Sequence, residues 1–322
     1  MRVTTLAMAT VFAAATPFLS ADQAKPAQPA DRPVRTTSTR ALVHLVAFAP
    51  DNVTVVAWDS AGFAKWNPET GKTVDRQPVI GKACGGRGVP VLPRSEDGRT
   101  VAVSCGGKLS FFDIATGDSR GEFKFDPKQM PTVYTVSPDG AAIATVAAGT
   151  TATVQISDVK TGERRAAIQN EQEVQQLSFA PIGRLLATGA VDGVRIWQMP
   201  DGQLLRTVTG GTIHALSRDG QTLALERGRD VAVIEVSSGA VKHTLPATVS
   251  QLRFSEDGTL LAGWNNQVLT VWETATGKVR LTLRSSQLAT VALAPDSKHL
   301  VAVSMDLAGG GAQTTIGVWR IP

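Results

Sequence analysis

Apolar residues recur in short runs along most of the chain, with apolar and polar positions alternating inside each run. A period of two residues is typical of a β-strand with one buried face. A four-residue turn separates such runs seven times, at steps of 37 to 46 residues. We therefore predict an all-β chain of seven repeats. The third residues of the seven turns are Asp51, Asp97, Asp139, Ile182, Asp219, Asp257 and Asp296.

The residues around each turn keep a constant register. Four places after the third turn residue stand Val55, Val101, Ile143, Leu186, Leu223, Leu261 and Leu300. Fifteen places after it stand Trp66, Phe112, Trp197, Ile234 and Trp272, each followed by a Gly-containing turn. Repeat 3 departs from this pattern, with Ser157 where the large residue at the end of strand c should be, and repeat 7 reaches Trp319 only after an insertion. Each repeat is therefore predicted to contain strands a, b, c and d, joined by tight turns in which Gly and Asp tolerate positive φ.

These repeats resemble WD-repeat and YVTN-type β-propellers across residues 34–322. The resemblance implies a seven-bladed β-propeller of four-stranded antiparallel blades. Repeat 4 comes nearest the WD pattern, with Asp192 in its b–c turn and Trp197 at the end of strand c. The chain has no Gly-His pair, and its one Trp-Asp pair, Trp58-Asp59, ends a strand b. The resemblance is therefore to the degenerate propellers of exported bacterial proteins.

Repeat 7 ends in strand c and lacks a fourth strand of its own. Residues Val34 to Arg40 precede the first strand a and can supply it. We expect this N-terminal strand to complete the last blade and to cover a sheet edge that would otherwise favour aggregation.

The N-terminus is predicted to direct export. Residues 1–21 have a basic start, an apolar run and a small-residue cleavage site, as in a signal peptide, although an uncleaved anchor is the alternative. Residues 22–33 are rich in Ala and Pro and are expected to form a flexible tether. We therefore expect a periplasmic or secreted protein, with no membrane span after signal removal.

Charge and composition favour a globular protein that does not bind nucleic acid. The chain is 43% hydrophobic and 19% charged, with a formal net charge of +4. Residues 1–40 carry five basic and two acidic side chains, so most of the surplus lies there and the remainder is nearly neutral. Nucleic-acid affinity needs clustered Lys and Arg.

Catalytic and metal-binding motifs are missing from the sequence, and we expect no cofactor. The four histidines fall in four predicted strands, and His214 takes a position that is apolar in other repeats, which favours a packed core residue. The alternative is an enzyme of lactonase or quinoprotein type, in which His, Asp or Glu side chains converge on the central channel.

Cys84 and Cys105 are the only cysteines. Cys84 lies in the d–a connection into repeat 2 and Cys105 in the b–c turn of that repeat, and these connections share one face of a propeller. With export, we predict a disulfide worth about 3 kcal/mol. A free or metal-binding pair is the alternative, but the spacing matches no zinc pattern.

The d–a/b–c face carries two insertions and is the predicted partner site, for a protein or peptide bound to a monomeric propeller. Trp58 and Trp264 occupy equivalent positions on either side of repeat 7 and are candidate anchors. The alternative is that both pack between blades. The remaining candidates on the two insertions are Met305, Asp306, Gln313, Lys82 and Arg87.

Overall fold

The protein is described by a computed structural model. The structure describes residues 32–59, 62–77, 91–95, 99–105, 107–125, 131, 133–146, 151–182, 184–285, 287–306 and 313–322. Within these ranges the regular elements are 28 β-strands. They form seven four-stranded antiparallel sheets arranged as the blades of a propeller, which confirms the predicted fold class. None of the described segments is a helix that could cross a membrane.

The first four blades follow the chain in order. Blade 1 contains β2 (Val43–Phe48), β3 (Val55–Asp59), β4 (Phe63–Asn67) and β5 (Lys72–Gln77). Blade 2 contains β6 (Val91–Arg94), β7 (Thr100–Cys105), β8 (Lys108–Asp113) and β9 (Ser119–Lys124). Blade 3 contains β10 (Tyr134–Val136), β11 (Ala142–Val146), β12 (Thr153–Asp158) and β13 (Arg164–Gln169). Blade 4 contains β14 (Val174–Phe179), β15 (Leu185–Ala190), β16 (Gly193–Gln198) and β17 (Gln203–Thr209).

The last three blades complete the ring. Blade 5 contains β18 (His214–Leu216), β19 (Thr222–Arg227), β20 (Asp230–Glu235) and β21 (Val241–Pro246). Blade 6 contains β22 (Gln251–Phe254), β23 (Leu260–Trp264), β24 (Val268–Glu273) and β25 (Val279–Arg284). Blade 7 contains β26 (Leu288–Leu293), β27 (His299–Asp306), β28 (Gln313–Arg320) and the N-terminal strand β1 (Arg35–Thr39).

Strand β1 closes the ring as the sequence predicted. It pairs antiparallel with β28, from Arg35 opposite Val318 to Thr39 opposite Thr314. The two ends of the chain therefore meet in blade 7, and the outer edge of β28 is covered. Residues 1–31, which contain the predicted signal peptide and most of the tether, lie outside the described residues.

Apolar side chains fill the interfaces between successive blades. The large residue at the end of strand c packs toward the preceding blade: Trp197 of blade 4 joins Ile156 of blade 3, and Trp272 of blade 6 joins Val233 of blade 5. At the point of closure Trp66 of blade 1 joins Val301 of blade 7. The core is thus a ring of interfaces, so each blade depends on its neighbours for burial.

Candidate functional site

The two candidate anchor tryptophans are buried between blades. The exposed fraction is 0% for Trp58 and 3% for Trp264. The Trp58 indole Nε1 donates to the carbonyl of Ile114 in blade 2 at 3.3 Å, and its ring lies 5.2 Å from that of Phe63. Trp264 packs with Val291 of blade 7. Because both indoles point into blade interfaces, they offer a partner no surface, and the packing alternative describes them correctly.

The insertion in blade 7 lengthens a hairpin on the d–a/b–c face. Strands β27 and β28 have eight residues each and pair out to Asp306 opposite Gln313, whereas the corresponding ladder of blade 4 has six pairs. Met305 is half-buried and Gln313 is exposed. The side chain of Asp306 is not among those the structure describes. The hairpin therefore projects beyond the other described b–c connections.

The second insertion lies outside the part of the chain that the structure describes. Lys82, Cys84 and Arg87 lie outside the described residues. Cys105 ends β7, where its backbone pairs with Lys108, but its side chain is not described. The disulfide therefore stays a prediction.

A buried hydrogen-bond chain ties three elements of blade 4 together beneath the d–a/b–c face. Trp197 Nε1 donates to Thr188 Oγ1 at 2.9 Å, and that hydroxyl donates to Asn170 Oδ1 at 2.7 Å. The chain joins strands c and b to the connection that enters the blade. Sequence reasoning found Trp197 but missed Thr188 and Asn170, because their pairing depends on the register between strands.

An arginine holds the b–c turn of the same blade. The Arg195 guanidinium is buried and bonds Asp192 at 2.7 Å and Glu171 at 3.0 Å. The hydrogen bond from Arg195 lowers the pKa of the Asp192 carboxyl. Asp192 therefore stays ionised at neutral pH and anchors the turn, which leaves Val191 64% exposed at its tip.

His214 is a core residue, as predicted. Its Nδ1 lies 2.8 Å from the carbonyl of Thr212 and its Nε2 lies 2.8 Å from Ser178 Oγ. A carbonyl only accepts, so Nδ1 carries the proton and the Ser178 hydroxyl donates to Nε2. Both side chains are buried, so this serine-histidine pair is closed to a substrate. Burial lowers the pKa of His214 to about 4, against the opposing effect of the Thr212 carbonyl.

Charged side chains meet across the axis on the opposite face, where the a–b and c–d turns lie. Glu256 of blade 6 bonds Arg99 of blade 2 at 3.2 Å and also bonds Arg218 of blade 5. Blades 2 and 6 are not adjacent, so this ion pair spans the mouth of the channel. None of the seven inner strands, as the structure bounds them, contains Asp or Glu.

A groove opens between blades 3 and 4 on this same a–b/c–d face. Its volume is 330 Å³. Buried Ile156 and Phe179 form its floor, and the turns of the two blades form its rim. Sequence reasoning missed this groove, although the replacement of a turn Asp by Ile182 marked its position. The rim includes Pro138, Arg165, Ile182, Arg184, Met199 and Pro200.

Comparison with known proteins agrees with the fold. Residues 24–182 match the family model PQQ_2, described as "Outer membrane protein assembly factor BamB". The β-propeller domain of Cps50 (Swd1) from Myceliophteria thermophila superposes with a TM-score of 0.65 at 16% identity, covering 90% of this chain and 99% of that domain. At that identity the likeness concerns the fold alone.

Three curated proteins are similar to parts of the chain. Transducin beta-like protein 3 of Rattus norvegicus is 27% identical over 190 residues, which is 55% of this chain and 24% of that protein. Pre-mRNA-processing factor 19 homolog 2 of Arabidopsis thaliana is 28% identical over 157 residues, 47% of this chain and 29% of that protein. U3 small nucleolar RNA-associated protein 15 homolog of Bos taurus is 30% identical over 128 residues, which is 37% of this chain and 25% of that protein. The chain spans about a quarter of the length of these relatives. It is a seven-bladed β-propeller with WD-repeat proteins among its homologues.

Proposed function

We propose that this chain is a non-catalytic protein-binding propeller, exported from the cytoplasm, which contacts its partner through the β27–β28 hairpin of blade 7. The similarity to WD-repeat proteins supports an interaction function. The family match points the same way, because its description names an assembly factor. Export is proposed on the N-terminal sequence alone.

The projection of the blade 7 hairpin carries this proposal. Both strands are fully paired to their ends, so the hairpin extends from the ring without leaving its ladder. A paired hairpin presents side chains in fixed positions, which lowers the entropy lost on binding. The half-buried Met305 and the exposed Gln313 at its outer end offer one apolar and one polar contact.

The enzyme alternative has one observation in its favour, the label of the matching family model, PQQ_2. A channel site would use His, Asp or Glu side chains from several inner strands. The described inner strands offer His44 and His214, and both ring nitrogens of His214 already have partners. This set of side chains favours binding over catalysis.

Site-specific photo-crosslinking tests the proposed contact. A photoreactive amino acid at Gln313 should capture a defined partner in extracts of the source cells, because this side chain is exposed at the outer end of the hairpin. Leu204 of strand d is half-exposed and serves as the matched control on the outer rim. Equal capture at both positions, or none at Gln313, would contradict the proposal.

A further inference from the structure

The a–b turn of blade 4 departs from the other six in sequence. Its third residue is Ile182, where every other repeat has Asp. In the five such turns whose third residue is a described Asp, its carboxylate accepts the backbone N–H two residues later, as Asp139 does from Ala141. Isoleucine cannot accept this bond. Blade 4 therefore gives up a turn hydrogen bond and exposes an aliphatic side chain, of which 48% is accessible.

The c–d turn of the same blade leaves its apolar residue partly exposed. Met199 corresponds to Ile114, Val159, Val236, Thr274 and Ile321, since each of these residues donates its backbone N–H to the carbonyl of the residue that follows the a–b turn in its own blade. The four aliphatic equivalents are buried, whereas Met199, like the polar Thr274, is only partly buried. The incomplete filling leaves the 330 Å³ groove between blades 3 and 4.

The groove walls combine apolar surface with one available cation. Pro138, Ile182 and Pro200 form an apolar rim above the Phe179 floor. Of the two arginines on the rim, Arg165 is already paired with Asp158. The exposed Arg184 guanidinium has no acceptor within the part of the chain that the structure describes.

One cation on the rim is left to pair with an anionic group. Asp139 is the one acidic side chain that lines the groove, and it is engaged in its own turn by Ser137 and Ala141. Because Asp158 already balances Arg165, the position that suits a carboxylate is Arg184. An arginine fork matches the two oxygens of a carboxylate in a bidentate geometry.

We propose that this groove binds a linear peptide segment in which a bulky apolar residue stands next to Asp or Glu. The apolar side chain packs on Phe179 and against Ile182, and the carboxylate pairs with Arg184. The volume lies at the lower limit of small-molecule pockets, which suits one large side chain and its neighbours. The site lies on the face opposite the blade 7 hairpin, so either proposal can fail without the other.

A peptide array on the full chain tests the specificity. Each peptide has one residue pair in the centre of a Gly-Ser frame, and the array includes phosphoserine in the acidic position. We expect binding to concentrate on pairs of a large apolar residue with Asp or Glu. A flat response, or a preference for phosphoserine over Glu, would overturn the proposal.

Two variants assign the binding to this groove. Ile182→Asp restores the residue that the other repeats use, so the melting temperature should hold or rise while binding of the preferred peptide falls about tenfold or more. Arg184→Gln should weaken binding of the acidic peptide to the level of its Gln-containing analogue. Val191→Asp, on the other face, is the control and should leave binding unchanged. Unaltered affinity in both groove variants would refute the site.

Discussion

Acidification from about pH 7.5 to about pH 5 should destabilise this propeller by about 2 kcal/mol through His214. The imidazole lies between blades 4 and 5, where the Thr212 carbonyl and the Ser178 hydroxyl occupy its two nitrogens. Protonation of Nε2 would place a charge in the core and remove the acceptor of the Ser178 hydroxyl. The folded state therefore resists protonation, while the unfolded chain accepts the proton freely.

The sign and size follow from the two pKa values. Burial lowers the pKa of His214 from 6.5 to about 4. A depressed folded-state pKa contributes stability that is complete above the unfolded value and is lost as the pH falls from 6.5 toward 4. The unfolded state is almost fully protonated at about pH 5 and the folded state is about one-tenth protonated, which gives the figure of about 2 kcal/mol.

Urea unfolding at a series of pH values measures this effect. His214→Gln keeps an amide donor for the Thr212 carbonyl but cannot titrate. Over the same pH range its free energy of unfolding should therefore fall by about 2 kcal/mol less than that of the wild type. His44→Gln is the matched control, because His44 is exposed on an inner strand. A parallel loss of stability by the wild type and His214→Gln between about pH 7.5 and about pH 5 would show that His214 does not cause the effect.

Three further predictions concern the ring itself. Trp58→Ala should cost about 3 to 5 kcal/mol in denaturant unfolding, because the indole is fully buried, and a loss below about 1 kcal/mol would contradict its core role. Deletion of residues 34–40 should lower the melting temperature and promote association through the bare edge of β28. Deletion of residues 22–33 should do neither, and equal melting temperatures for the two truncated proteins would exclude a stabilising role for the closure. In protein purified without reductant, intact mass should show Cys84 and Cys105 joined, and two alkylatable thiols would show that they are not.

The blade count and the ring closure could be predicted because they depend on local rules repeated many times. A turn Asp or Gly is recognisable from its own backbone requirement, and seven copies in register make an accidental pattern untenable. The missing fourth strand of repeat 7 follows from the same count. His214 could be assigned to the core because Leu177 and Leu252 occupy the same position in their repeats.

The orientation of Trp58 and Trp264 could not be predicted, because both faces of a propeller strand meet a neighbouring blade. Which face holds a large side chain depends on the residue opposite it. At the interface of blades 4 and 5 the equivalent position is Gly189, and a Cβ there would lie 2.5 Å from the Thr212 carbonyl. Glycine leaves room for the buried His214. The pairing of small with large across an interface is a tertiary property that one repeat does not reveal.

Two departures from the repeat pattern, Gly189 and Ile182, therefore differ in whether another residue of the fold makes up for the change. The departure without such a residue is the one we connect with function. Gly189 is compensated: the histidine of the next blade fills its space, and both nitrogens of that ring are bonded. No described residue makes up for Ile182, which exposes apolar surface and removes a turn hydrogen bond. It stands beside Arg184, whose guanidinium has no acceptor in the described structure. Restoring the residue that the other repeats use, as Ile182→Asp does, should therefore improve the propeller as a fold, and under the proposed use of the groove it should impair peptide binding.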